Sequence, residues 1–191
     1  MIRAFSRPRD RVVVLPWPTS SSSTAAAIDV TNNLGRRANS QSDVELEPTA
    51  SADLVVTSAP PHQTVAEVAD RVALAAARLL RVGGIFVALT HNDAAGGELT
   101  DPTGQLVTSA QYADLLYLQH IVAVHVPIHC GRFHVDGTQK VSRAQHRASV
   151  HRLPAPHLRI HSDVLVFVQP HDHAARSLAP ARAVIETGVI R

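Results

Sequence analysis

Ala52-Asp53-Leu54-Val55-Val56-Thr57-Ser58-Ala59-Pro60-Pro61-His62, joined by an alanine-rich stretch to Gly83-Gly84-Ile85-Phe86-Val87-Ala88-Leu89-Thr90, decides the fold class of this chain. Asp53 to Thr57 is a β-branched apolar run cut off by a double proline, the pattern of a buried strand entering a turn. Thr64 and Glu67 stand at capping-box spacing. Val65, Val68, Ala69, Val72, Ala76, Leu79 and Leu80 recur behind them at helical spacing. Gly83-Gly84 reads as the stop of that helix, and residues 85–90 as the next strand. Strand, helix and strand with short links make a parallel α/β unit. The strand signals are continuous rather than alternating, as expected when both faces are covered.

Upstream, Val12-Val13-Val14-Leu15 reads as another buried strand that runs into a Pro/Thr/Ser loop. An Ala-rich helix is expected over residues 23–34, with Gly35 as its stop. Residues 36–51 are polar and allow at most one short strand, near Val44–Leu46. Downstream, a loop over 91–104 is followed by a helix over 105–116 and a strand over 117–128. The last clear strand is Val164-Leu165-Val166-Phe167-Val168. The expected organisation is one domain over residues 1–170 with a basic insertion at 131–160, then a tail, 171–191. No internal repeat is visible.

With 191 residues, 45% hydrophobic and 18% charged, the chain reads as one globular domain. No apolar run approaches the roughly 18 residues that span a bilayer. Residues 1–10 hold three arginines without the apolar core of a signal peptide. The single cysteine, Cys130, excludes a disulfide framework. These features lead to the expectation of a cytoplasmic protein with no membrane partner. The net charge of +2 is uneven. Residues 132–161 hold six basic residues against Asp136, a local +5 that leaves −3 elsewhere. Arg143, Arg147 and Arg152 in this stretch are candidates for phosphate contact, and a solvated basic loop is the competing reading. Five of the twelve histidines lie in or beside it, so its charge rises as pH falls through about 6.5.

Three of these segments together resemble the DNA amino-methyltransferases, which use S-adenosylmethionine (SAM) on a Rossmann-like fold. The family's V-L-D-P-F-x-G-S-G-T-T and its following L-G-R-R resemble Val14-Leu15-Pro16-Trp17-Pro18-Thr19-Ser20-Ser21-Ser22-Ser23-Thr24 and Leu34-Gly35-Arg36-Arg37 without a gap. The family's acid falls on Pro16 and its two loop glycines on Ser20 and Ser22. The family's D-x-V-V-T strand leading into S-P-P-Y resembles residues 53–62, in one of two registers. Either Ser58 is the polar member with Ala59 for a proline, or the turn reads Ala59-Pro60-Pro61-His62. In both, the stacking aromatic is replaced. The L-x-P-G-G segment of many SAM methyltransferases resembles Leu80-Arg81-Val82-Gly83-Gly84, with Val82 for proline.

The resemblance implies a three-layer α/β sandwich with a mostly parallel sheet, a C-terminal antiparallel strand pair and, because only 16 residues (36–51) link the first unit to the Pro-Pro strand, a shortened first half. It implies SAM as cofactor, bordered by Pro16, Thr19, Ser20 and Ser22, with Asp43 or Glu45 for ribose. It implies methyl transfer to a nucleobase amino group held at Ser58, Pro60, Pro61 and His62, and DNA as partner. A catalytically inactive relative that binds nucleic acid or protein stays open on the same residues. A nucleotide phosphate at the Ser-rich loop is a third reading, but the lysine of a G-K-[ST] loop is missing. His129, Cys130 and His134, and His171-Asp172-His173, lack the three or four converging ligands of a zinc site, so no metal is expected. His120 and His125, five apart on a strand, are expected on opposite faces.

Overall fold

The computed structural model describes residues 2–17, 21–40, 50–93, 99–134 and 160–171. Its centre is a six-stranded sheet in the order β2-β1-β3-β4-β8-β5. These strands are β1 (Arg11–Leu15), β2 (Arg37–Ser40), β3 (Ala52–Ser58), β4 (Leu80–Thr90), β5 (Leu116–Val124) and β8 (His161–Val168). β1 pairs in parallel with both β2 and β3, and β3 with β4. β8 inserts antiparallel between β4 and β5, so β5 runs in the same direction as β4. The three strands read from apolar runs are therefore adjacent and parallel, and the terminal antiparallel pair forms.

The chain moves from β1 to β2 in one direction and from β3 to β4 in the other. Right-handed connections then put α2 (Ser21–Asn33) and α3 (Ala66–Leu79) on opposite faces. The α3 face carries Val13, Leu15, Val55, Phe86, Ala88, Leu165 and Phe167, packed against the alanines of α3 and Leu106 and Ala110 of α4 (Thr103–Tyr112). Alanine lets α3 lie close to the sheet. The other face carries Val12, Leu54, Val56, Val87, Val164 and Val166, with Ile2 and Phe5 of the short α1 (Ile2–Phe5) against it. Among the described residues no helix is long and apolar enough to cross a membrane.

Several local expectations are corrected. β2 is formed by Arg37-Ala38-Asn39-Ser40, a polar segment with no strand pattern. Pairing with β1 makes it a strand, and the Asn32 side chain accepts a hydrogen bond from Ala38 N–H at 2.8 Å. The expected strand near Val44–Leu46 lies outside the described residues. The Thr64/Glu67 capping box does not form. Val65 is the N-cap of α3, and the Thr64 hydroxyl donates to Pro60 O at 2.7 Å, closing the Pro-Pro turn instead. Gly83 and Gly84 do not stop α3, which ends at Leu79. They lie inside β4, where Gly83 N–H donates to Gln169 O (2.8 Å) and Gln169 N–H to Gly84 O (2.9 Å). A Cβ on Gly84 would sit 2.9 Å from Ala52 O, Arg81 O and Leu80 Cδ2, so glycine here is a packing requirement. α4 ends at Tyr112 rather than 116, where Asp114 takes a positive φ of 62°. The basic insertion begins as the small hairpin β6 (Ile128–His129) and β7 (Arg132–Phe133). Beyond it, 135–159 lie outside the described residues, as does the tail from 172.

β8 is the mechanical link between the two ends of the sheet. Phe167 is fully buried, stacks on Phe86 (centroids 5.6 Å apart) and packs at a tilt against Tyr117 (5.3 Å), one ring from each flanking strand. Phe167→Ala is expected to cost about 3–5 kcal/mol, measured as a fall in the urea midpoint with an unchanged slope. At the N-terminal end of β3, the Asp53 carboxylate accepts from Arg11 N–H (2.8 Å) and Arg81 Nε (2.6 Å). Burial pushes this carboxyl up, but those hydrogen bonds and the nearby Arg81 and Arg37 charges outweigh it, holding it below the ordinary 3.8. A lowered folded pKa gives stability that is present above the unfolded value and lost as pH falls through the folded one. Asp53→Asn is therefore expected to be less stable than the parent at pH 7. The gap should close in acid, read from thermal midpoints at descending pH.

Candidate active site

Parallel β1 and β3 end in register, Leu15 beside Thr57, and the Thr57 hydroxyl donates to Leu15 O at 3.0 Å. The segments that leave them therefore emerge side by side at the C-terminal edge of the sheet, where ligands of open α/β sheets bind. Between them lies a cleft of about 260 Å³. Its floor is Val14, Leu15, Pro16 and Trp17 at the tip of β1 and Val56, Thr57 and Ser58 at the tip of β3. Thr24 and Ala27 of α2 wall one side, with Leu89 of β4 and Ile2 of α1 nearby. No described residue lining it is charged. The volume is slightly below the usual range for enclosed small-molecule pockets.

Of the sequence-derived cofactor positions, Pro16 lines this cleft and Ser22 stands in the first turn of α2. Thr19, Ser20 and Asp43 lie outside the described residues, as do Arg143, Arg147 and Arg152. Trp17 is 2% exposed, so its ring is part of the α3-side core rather than a surface for a ligand. Ser58 is exposed at the rim, whereas Ala59 behind it is buried.

The Pro-Pro turn is held from behind. Ala59 N–H donates to Leu89 O (2.8 Å), and Ala59 O accepts from the buried Thr90 hydroxyl (2.8 Å). Pro60 O accepts from Thr64 (2.7 Å). Each carbonyl keeps one lone pair, whichever register of the turn is taken. Pro61 is buried and opens the 3-10 turn Pro61–Gln63. His62 on that turn is half exposed, its Nε2 2.8 Å from Asp93 Oδ2. Asp93 is itself fixed by paired backbone hydrogen bonds with Thr100. An imidazole paired to a carboxylate thus occupies one register's aromatic position.

Sequence reading missed Asp93, Thr24, Ala27 and Leu89. Asp93 meets His62 across 31 residues of chain, and no local pattern announces such a pairing. The two strand histidines do part as alternation requires. His120 bonds Asp163 (2.7 Å) and His125 bonds Ser162 (2.8 Å), neighbours on opposite faces of β8. His129 and His134 meet edge to face across the β6–β7 hairpin, and Cys130 is exposed in its turn. Among the described residues no three His, Cys, Asp or Glu side chains are disposed to hold a metal. A larger cleft, about 630 Å³, opens at the opposite edge of the sheet. It lies at the starts of β1, β2 and β3, away from both turns.

No family model and no curated protein matches the sequence. Solved structures do match its shape. A chain from the complex between the Haloferax volcanii Trm112 methyltransferase activator and a candidate methyltransferase has a TM-score of 0.54 and 16% identity, over 88% of this chain and 85% of its own. The [4+2]-cyclase SpnF has a TM-score of 0.50 and 15% identity, over 86% and 77%. A candidate DNA modification methylase from Thermus thermophilus has a TM-score of 0.45 and 19% identity, over 85% and 54%, so this chain spans about half its length. At these identities the likeness is one of fold, and the fold is the Rossmann-like α/β sandwich of methyltransferase structures.

Proposed function

We propose that this chain binds SAM in the cleft at the C-terminal edge and transfers its methyl group to an amino group, on a nucleobase of DNA, held at the Pro-Pro turn. One observation carries the reading. Pro16 and Trp17 after β1 and Ser58 at the start of the Pro-Pro turn, which belong to segments resembling two motifs of one family, line a single cleft. Its apolar walls suit the flat face of a nucleoside, and SAM supplies an electrophilic methyl on a sulfonium. The chain's share is orientation, with no side-chain nucleophile. Ser58 and a turn carbonyl accept hydrogen bonds from the amino group. Thr19, Ser20 and Ser22 border the methionine end, Asp43 reaches the ribose, and Arg143, Arg147 and Arg152 contact DNA phosphates.

A second reading, a non-catalytic relative that binds nucleic acid or protein, is favoured by one specific observation. Both turn carbonyls already accept an internal hydroxyl, and His62 is engaged by Asp93 where the family stacks an aromatic.

Calorimetric titration with SAM separates the two. The enzyme reading expects saturable binding that Ala27→Phe, which fills the cleft, weakens at least tenfold without lowering the thermal midpoint. Ser20→Gly with Ser22→Gly is expected to tighten binding, because glycine lets the loop backbone approach the ligand. Absence of SAM binding in parent and glycine variant would leave the non-catalytic reading. Binding without transfer of labelled methyl to DNA would remove the amino-methylase assignment and keep the SAM site.

A further inference from the structure

We propose that the N-terminal edge of the sheet is a separate binding surface for the phosphate backbone of a nucleic acid. The cleft of about 630 Å³ there is lined by Arg11, Arg36 and Arg37 with Asn32, Asn39 and Ser51. Its one lining acid, Asp53, is already engaged by Arg11 N–H and Arg81. Arg7 and Arg9 flank it, since Arg37 Nε donates to Arg9 O (3.3 Å) and the Arg7–Asp10 turn leads directly into β1. Among the described residues six arginines thus gather on this edge around two carboxylates, Asp10 and Asp53.

Their roles divide. Arg36 is structural, bonding Ser6 and Leu34 O, and Arg11 bonds Ser51. Arg7, Arg9 and Arg37 are exposed, and among the described residues Arg37 bonds only a main-chain oxygen. Arg9 is held at φ 74°, a left-handed conformation uncommon outside glycine, with its N–H on Gly35 O. That strained conformation is fixed beside the cleft. From Arg37 on β2 through Arg11 on β1 to Arg81 on β4 the row crosses three strand spacings, about 14 Å. One strand of a nucleic acid presents a phosphate about every 3.4 Å along its axis. A row of this length therefore faces several phosphates and exceeds one.

The surface is distinct from the candidate active site. β1 separates them by about 13 Å along the strand, and no lining residue is shared.

The test is fluorescence anisotropy with a labelled 20-nucleotide single-stranded DNA at 50 mM salt and above. The parent should bind. Arg7→Gln with Arg9→Gln and Arg37→Gln should weaken binding at least tenfold and reduce the log–log salt slope by about 2, at roughly 0.7 for each phosphate no longer neutralised. Its SAM titration should equal the parent's. If the triple variant has a lowered thermal midpoint, Arg37→Gln alone decides, with a slope change of about 0.7. Three outcomes would overturn the proposal. These are no binding by the parent at low salt, an unchanged affinity and slope in the variants, or full displacement by inorganic phosphate at constant ionic strength. The last would mean a lone-phosphate site.

Discussion

The parallel register of β1 on β3 is the constraint from which the rest follows. Val12 lies beside Leu54 and Leu15 beside Thr57, and the Thr57–Leu15 hydrogen bond closes the pair at its C-terminal end. A slip of β1 by one residue would exchange its two faces, sending Val13 away from α3 and Val12 toward it. With the register fixed, the two strand tips stop level. The tip of β1 at Pro16 and Trp17 and the tip of β3 at Ser58 then border one cleft, although about forty residues separate them in the chain.

The shortened first half shapes the other end of the molecule. Among the described residues β2 is the terminal strand, one strand beyond β1. An exposed strand edge invites further pairing, and here Asn32 occupies an outward-facing N–H while arginines ring the strand starts. The same edge brings Arg11, Arg36 and Arg37 to one cleft. At the far end, β8 joins β4 to β5 through the Phe86–Phe167–Tyr117 stack and the buried Gln169 amide, which donates to Ala77 O of α3. The sheet is thus anchored to the α3 layer where its direction reverses.

At the candidate active site, the double proline does more than turn the chain. Two hydroxyls, from Thr90 and Thr64, and the Leu89 carbonyl fix the Ala59-Pro60 backbone from three sides. A turn restrained this way holds its geometry without a ligand, which is the arrangement a positioning site needs. The same bonds use part of the carbonyl capacity that an amino group would draw on. Rigidity and acceptor strength therefore oppose each other at this turn, and the His62–Asp93 pair adds a polar group where an apolar ring would stack.

The amino-acid sequence by itself determined the elements whose signals are local. Runs of valine and leucine marked β1, β3, β4 and β8, and a helical apolar period marked α3. The prolines and glycines marked turns, although Gly83 and Gly84 mark a close approach inside a strand instead. Order and type along the chain were enough to indicate a parallel α/β unit, and the resemblance of its motifs extended this to a sandwich. The tertiary structure alone decided what depends on distant partners. Arg37–Ser40 is a strand because β1 and Asn32 satisfy its backbone, not because of its own pattern. Thr64 turned from helix capping to Pro60 because α3 starts at Ala66, leaving Val65 as N-cap. Asp93 reached His62, and Arg11 of β1 reached one cleft with Arg36 and Arg37, through tertiary contacts between distant segments. Apolar burial writes a periodic pattern into the sequence, while hydrogen bonds between remote polar groups leave none.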